Sequence, residues 1–375
     1  MALLIALGVA VLAIVAHFLL QRRAARLAPP APAPVPDIPR PPADGAAPPE
    51  PPFLVGRREL SDRIDELASM PAPEPAGPRA RAAALVGPPG IGKTALALDY
   101  AHVALPDEGE APDADDFVGR VWFELGASTT TPPSDELAHL ELARAVLGRA
   151  AAGLTDDELR SRLAAALTER RLLVILDDAR DGAQVDRLIA AHPGPRLAFV
   201  VVTSRAPLGL DGVPELPVGP LDAEAAAEIL LPRADTRADG DADDHVEALA
   251  ALTPLLDGHP LALVIAEGAI VTTTISAPAL RDAVAARRQQ GQPPHLAVRD
   301  ALLAHLGDSR AATFRALADA TAAGALTLGA LHERLPALRD TDDLPTLLDL
   351  ELVESAGTTA SGQPLFRVPH ALRAN

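Results

Sequence analysis

Eight consecutive residues, Gly87-Pro88-Pro89-Gly90-Ile91-Gly92-Lys93-Thr94, restrict this chain more than any other stretch. They follow the pattern G-x-x-x-x-G-K-[ST] between an apolar run, residues 82–86 (AAALV), and an apolar helical segment, residues 95–103. Strand, glycine-rich loop and helix form the context in which this spacing acquires a physical meaning. Glycines let the backbone wrap closely, so that its N–H groups and the helix N-terminus meet an anion such as a phosphate. Lys93 is also the only lysine in the sequence. A compact ammonium fits the tight space around phosphates where a planar guanidinium does not. The loop, with Ala95 continuing the helix, is therefore expected to hold ATP or ADP. Lys93 would reach the β- and γ-phosphates, and the Thr94 hydroxyl would ligate magnesium.

Such a loop needs a second buried strand that ends in acid. Residues 171–178 (RLLVILDD) supply a continuous apolar run closing on Asp177 and Asp178, as a parallel strand covered on both faces requires. Asp177 is expected to orient magnesium, directly or through water, and Asp178 to place an attacking water. Residues 120–125 (RVWFEL) and 197–205 (LAFVVVTSR) read as two further strands, with Trp122 as core packing. The second ends in Thr203, Ser204 and Arg205, a polar tip beside the phosphate site, where Arg205 is expected to sense a γ-phosphate. Lys93, Asp177, Asp178 and Arg205 are thus the candidate catalytic residues. Residues 134–151, 156–170 and 182–191 have helical spacing. Alternating helices and strands imply an α/β domain with a doubly wound parallel sheet.

Composition narrows the remaining classes. The net charge of −18 repels nucleic-acid phosphates, so no nucleic-acid partner is expected. Cysteine is absent, which excludes a disulfide framework, thiol chemistry and a cysteine zinc site. Residues 2–20 (ALLIALGVAVLAIVAHFLL) are apolar apart from His17, and Arg22, Arg23 and Arg26 follow at once. As a helix this run would span about 28 Å, close to the roughly 30 Å hydrocarbon core of a bilayer. A cleaved secretory signal carries its basic residues ahead of the apolar run; here they come after it. The expectation is a single transmembrane anchor at the cell membrane, with the soluble body cytoplasmic. Residues 21–52, rich in proline and alanine from residue 27 onward, read as a semi-rigid spacer.

Taken in order, the motifs resemble those of the NB-ARC-type STAND NTPases, and the resemblance runs from Phe53 to the C-terminus. Phe53-Leu54-Val55-Gly56-Arg57-Arg58-Glu59 matches the family's opening motif, which implies that Val55, Gly56 and Arg57 lie near the adenine. Gly87–Thr94 matches its Walker A, residues 172–178 its Walker B, and Val201-Val202-Thr203-Ser204-Arg205 its sensor strand. Asp257-Gly258-His259-Pro260-Leu261 matches the G-x-P-L segment, which implies adenine contacts from Pro260 and Leu261; His259 stands where the family has an apolar residue. Residues 347–354 (LLDLELVE) and 364–367 (PLFR) resemble the third helix and wing strands of a winged helix. The family's Met-His-Asp-type motif is altered here to Val368-Pro369-His370, with proline at the histidine position and His370 one residue later.

The resemblance implies a P-loop nucleotide-binding domain at 53–220, a small helical domain at 221–292 and a winged-helix-like domain at 293–375. It implies a membrane-tethered ATP/ADP switch reset by slow Mg-dependent hydrolysis, with a protein partner or self-association on activation. Two alternatives share the same loop. One is an AAA+-like motor or loader, which would want a glutamate after the Walker B aspartate where this chain has Asp178. The other is a nucleotide-binding scaffold without hydrolysis.

Overall fold

A computed structural model of the chain describes residues 54–70, 81–105, 117–126, 134–189, 198–230, 242–358 and 363–373. All of them fall in the second of the two units into which the chain divides, Arg40–Asn375. The expected anchor and spacer lie outside the described residues. Among the described residues no helix is long and apolar enough to cross a membrane.

Five strands form the central sheet: β1 (Arg81–Val86), β2 (Gly119–Glu124), β3 (Leu172–Ala179), β4 (Phe199–Ser204) and β5 (Glu215–Pro217). Their order is β2-β3-β4-β1-β5, and every neighbouring pair is parallel. The expected strand at 171–178 thus starts and ends one residue later, and the doubly wound parallel sheet is present. β3 and β4 are buried almost throughout, which is why their sequences read as unbroken apolar runs rather than alternating ones. The fifth strand was not legible in the sequence. At three residues it is too short to carry a period; backbone bonds hold it, Ala84 N donating to Pro214 O (2.9 Å) and Val218 N to Val86 O (2.7 Å). Trp122 is buried in the core beneath the sheet, as expected.

Helices cross between the strands: α1 (Arg58–Ser69) leads in, followed by α2 (Lys93–Val103), α3 (Asp135–Leu147), α4 (Asp156–Glu169) and α5 (Gly182–Ile189). The α3 segment was expected to run to 151, but it turns 3-10 from Gly148, whose φ of +53° no ordinary helix position holds. α4 starts on a capping box: the Thr155 hydroxyl accepts from Glu158 N, and the Glu158 carboxylate accepts from Thr155 N.

After β5 the chain is mainly helical: α6 (Ala223–Leu230), α7 (Ala242–Leu252), α8 (Pro260–Thr272), α9 (Ala277–Gln289), α10 (Pro294–Leu306), α11 (Asp308–Ala320), α12 (Leu328–Arg334) and α13 (Asp343–Asp349). A small antiparallel sheet, β6 (Leu326–Thr327), β8 (Pro364–Arg367) and β7 (Glu354–Thr358) in that order, closes the C-terminal part. Residues 347–354, expected as helix and wing, contain the end of α13, a turn and the first residue of β7. One continuous apolar core runs from Leu221 to Leu372, across the expected border at 292/293. Gly268 lets α8 approach the end of α13 closely: a Cβ there would stand 3.2 Å from Asp349 O.

Candidate functional site

Parallel order brings the C-terminal ends of β1, β3 and β4 to one edge, where α/β sheets bind their ligands. The glycine-rich loop leaves β1 there, and Gly90 (φ +72°) and Gly92 (φ +92°) adopt left-handed backbone that admits the loop's tight path. α2 then begins at Lys93, two residues before the expected 95. Lys93 Nζ donates to Gly87 O and Pro88 O, both at 2.8 Å. Burial lowers its pKa to about 8, against the pull of Asp177.

Asp177 is almost fully buried at the end of β3. Its Oδ1 accepts from Thr94 Oγ1 (2.9 Å) and from Thr203 Oγ1 (2.6 Å), and the Thr203 oxygen accepts in turn from Asp178 N (2.9 Å). Loop, β3 and β4 therefore converge on one carboxylate. Burial pushes its pKa up to about 6 in spite of both hydroxyls, and the nearby charge of Glu124 adds to the rise. A carboxylate held this way, with a threonine hydroxyl beside it, matches the donor set that magnesium takes from protein when phosphates and water supply the rest. The pairing with β4 shifts between Leu176 and Ala179, and Asp178 stands in that irregularity at φ +59°. A non-glycine residue in that region is strained. The turn brings its Oδ1 to 3.7 Å from Arg205 Nε.

These groups line a cavity of about 380 Å³ together with Pro89, Gly90, Gly92, Ala95, Pro260 and Leu261. Val55, Gly56, Arg57, Gly87, Pro88 and Ile91 are not in its wall. The opening motif packs beside the loop, with Arg57 as its link to it. Arg57, buried, donates to Ile91 O (3.0 Å) and Gly219 O (2.7 Å), and so ties the loop to the segment that leaves β5. Gly56 (φ +64°) lies against α6, where a Cβ would meet Ala225 Cβ at 2.6 Å.

The helical segment clamps the loop from the other side. Leu261 N donates to Gly90 O (3.3 Å). His259 caps α8: its Nδ1 accepts from Ala262 N, which leaves Nε2 as the protonated nitrogen donating to Pro89 O (3.1 Å). His259 therefore bonds to the glycine-rich loop itself, a role its sequence position gave no reason to expect. Its ring stacks on His295 of α10 at 4.6 Å between centroids.

The C-terminal segment also contributes, through residues to which the sequence gave no site role. Glu354, Arg367, Pro369 and His370 line the same cavity, as does Glu124 at the tip of β2. Arg367 bonds through Nη1 to Glu124 and through Nε to Glu354 Oε1 (2.6 Å). Burial works against its charge, but Glu354 and Glu124 more than offset this and hold its pKa above the ordinary arginine value. His370, set one residue late for the familiar motif, nevertheless faces the cavity, and burial lowers its pKa to about 4. The altered spacing hid it.

No protein-family profile matches the chain. It is 33% identical over 155 residues to the Regulatory protein AfsR of Streptomyces coelicolor, covering 40% of this chain and 14% of that protein. It is 33% identical over 124 residues to the Regulatory protein AfsR of Streptomyces griseus, covering 32% of this chain and 12% of that protein. The matched stretch is thus a small part of those relatives' length. Among solved structures, the chain is similar to a Signal Transduction ATPase with Numerous Domains (STAND) protein with a tetratricopeptide repeat sensor from Pyrococcus horikoshii. That likeness has a TM-score of 0.53 at 16% identity and covers 88% of this chain and 43% of the other, which is a likeness of fold. With its sheet order, its glycine-rich loop and this shared architecture, the chain carries the fold of the P-loop NTPases.

Proposed function

We propose that the chain is an ATP/ADP-operated signalling switch of the STAND, NB-ARC-like type, with slow Mg-dependent hydrolysis resetting its conformation. One observation carries the reading: a single cavity is walled by the phosphate loop, by Pro260 and Leu261 of the helical segment, and by Arg367 and His370 of the C-terminal segment. A ligand shifts a conformational equilibrium only by its differential affinity for the states. A nucleotide in this cavity would touch all three segments at once, which gives it that leverage.

In this reading Lys93 exchanges its bonds to Gly87 O and Pro88 O for phosphate oxygens, which are stronger acceptors for a cation. Magnesium, when bound, would screen the phosphate charge, and Thr94 and Asp177 are the residues that would hold it. Arg205 would answer to the γ-phosphate, and Asp178, its ion-pair partner, would move with it. The adenine would lie toward Pro260 and Leu261, while Arg57 braces the loop through Ile91 O. We further propose the three-domain division at 53–220, 221–292 and 293–375 and a membrane tether through residues 2–20, which would keep the switch at the cytoplasmic face. Support for the tether is the apolar run and the arginines that follow it.

The test is to purify the full chain in detergent and identify the co-purifying nucleotide, with Lys93→Ala beside it. Retained ADP, lost in the variant, and slow turnover are expected. Fast steady-state hydrolysis would favour a motor, and a protein that binds no nucleotide would overturn the proposal.

A further inference from the structure

Besides Asp177, the carboxylates of Asp178, Glu124 and Glu354 reach the cavity. Asp178 follows the Walker B aspartate and is the one the sequence singles out. The strand irregularity, however, turns it toward Arg205. Glu124 is placed differently. It ends β2 in direct register with Asp177 on β3, and partners on neighbouring parallel strands project to the same face about 4.8 Å apart. Glu124 therefore flanks the carboxylate that receives the Thr94 and Thr203 hydroxyls. Its own carboxylate is taken by Arg367, which arrives from β8 of the C-terminal segment and is held from behind by Glu354 of β7. Arg367 side-chain exposure is 15% and that of Glu124 34%, so the ion pair is partly shielded from solvent.

We propose that Glu124 holds the attacking water for nucleoside triphosphate hydrolysis, and that Arg367 silences it by ion pairing while the C-terminal segment sits on the nucleotide-binding sheet. The proposal rests on the nucleotide-switch reading and deepens it. As water attacks the γ-phosphorus, its proton passes to the freed Glu124 carboxylate and the new P–O bond forms. The bond from that phosphorus to the β,γ-bridging oxygen breaks, with its electron pair leaving on the nucleoside diphosphate. The proton then leaves Glu124 for the released phosphate or solvent. While Arg367 Nη1 is bonded to Glu124 Oε1, that oxygen is not free to receive the proton. Hydrolysis is thereby coupled to whether the C-terminal segment is seated, and the guanidinium needs no movement of the phosphate loop to exert control.

The test uses the full chain carrying Glu124→Gln, Arg367→Gln, both together, or Glu354→Gln. Two readouts are taken: single-turnover hydrolysis of Mg-ATP, and the release rate of a fluorescent ADP analogue with the hydrodynamic radius alongside. A mere latch would make Glu124→Gln behave like Arg367→Gln. The proposal separates them. Arg367→Gln is expected to raise turnover severalfold and to speed ADP release. Glu124→Gln should also speed release, yet lose turnover by about a hundredfold, as removal of a proton acceptor does. The double variant should turn over as slowly as Glu124→Gln alone. Glu354→Gln, which leaves Glu124 intact, should resemble a milder Arg367→Gln and serves if the latter fails to fold. Turnover in Glu124→Gln equal to or above wild type would overturn the assignment. ADP release unchanged in both Arg367→Gln and Glu354→Gln would overturn the latch. Wild-type protein that binds no Mg-ATP would instead overturn the switch reading beneath it.

Discussion

Thr203 shows how much one hydroxyl can organise. It donates to Asp177 Oδ1 and accepts from Asp178 N, and it is buried. Replacing it by valine keeps shape but leaves a backbone N–H without its acceptor and a buried carboxylate with one donor fewer. A loss of about 1–3 kcal/mol is expected from those unmet groups, measurable as a shift in the urea midpoint, with Thr203→Ser restoring most of it. Equal stability of Thr203→Val and wild type would show that the network is not holding the two acids. The acids themselves were legible because an apolar run closing on Asp-Asp beside a glycine-rich loop puts two negative charges where a bound cation would offset the cost of their burial. Thr203 was legible only as a polar strand tip, since nothing in a linear pattern says which carboxylate a hydroxyl will meet.

At the scale of elements, the junction between β5 and the helical segment is set by glycine. Gly258 has φ +61°, and a Cβ there would lie 2.1 Å from Leu221 O; Leu221 N also donates to Gly258 O at 2.8 Å. Gly258→Ala is expected to cost at least about 1–2 kcal/mol from the left-handed backbone alone, with the clash in addition. Because His259 and Leu261 hang from the same turn, ADP release should accelerate with the loss of stability. Thermal melting and release of a fluorescent ADP analogue check both, and an unperturbed melt would refute the packing argument. The strands β1, β3 and β4 could be read from the sequence because burial on both faces leaves an unbroken apolar run. β5 could not, since three residues on the sheet edge carry no period. In the C-terminal sheet β8 was readable as a strand, but β6 and most of β7 were not, nor was where that sheet lies against the parallel one.

At the scale of the molecule, the glycine-rich loop, the helical segment and the C-terminal segment are linked through a stacked imidazole pair, His259 on His295. Burial, with the neighbouring His259 and Arg299, lowers the pKa of His295 from 6.5 to about 4. Between those values the folded chain binds fewer protons than the unfolded one, so stability falls as pH drops from about 6.5 toward 4. His295→Phe keeps a ring in the stack and removes the titration. Between pH 6.5 and 4.5 wild type is expected to lose on the order of 1–2 kcal/mol more than this variant, read from urea unfolding at each pH. Parallel losses in the two proteins would show that the pair does not contribute to acid sensitivity.

What the sequence by itself determined is whatever depends on neighbours along the chain: the loop chemistry of Gly87–Thr94, the buried strand ending in Asp177, and the alternation that yields a parallel sheet. Backbone conformation and burial period are local properties, and local spacing encodes them. Only the tertiary structure decided that Glu124, Arg367, Glu354 and His370 share a cavity with Lys93. Glu124 and Arg367 are 243 residues apart, and either alone reads as an ordinary surface charge. Their pairing depends on how the C-terminal segment packs through Gly268 and the shared apolar core, a relation that no periodicity within either segment specifies.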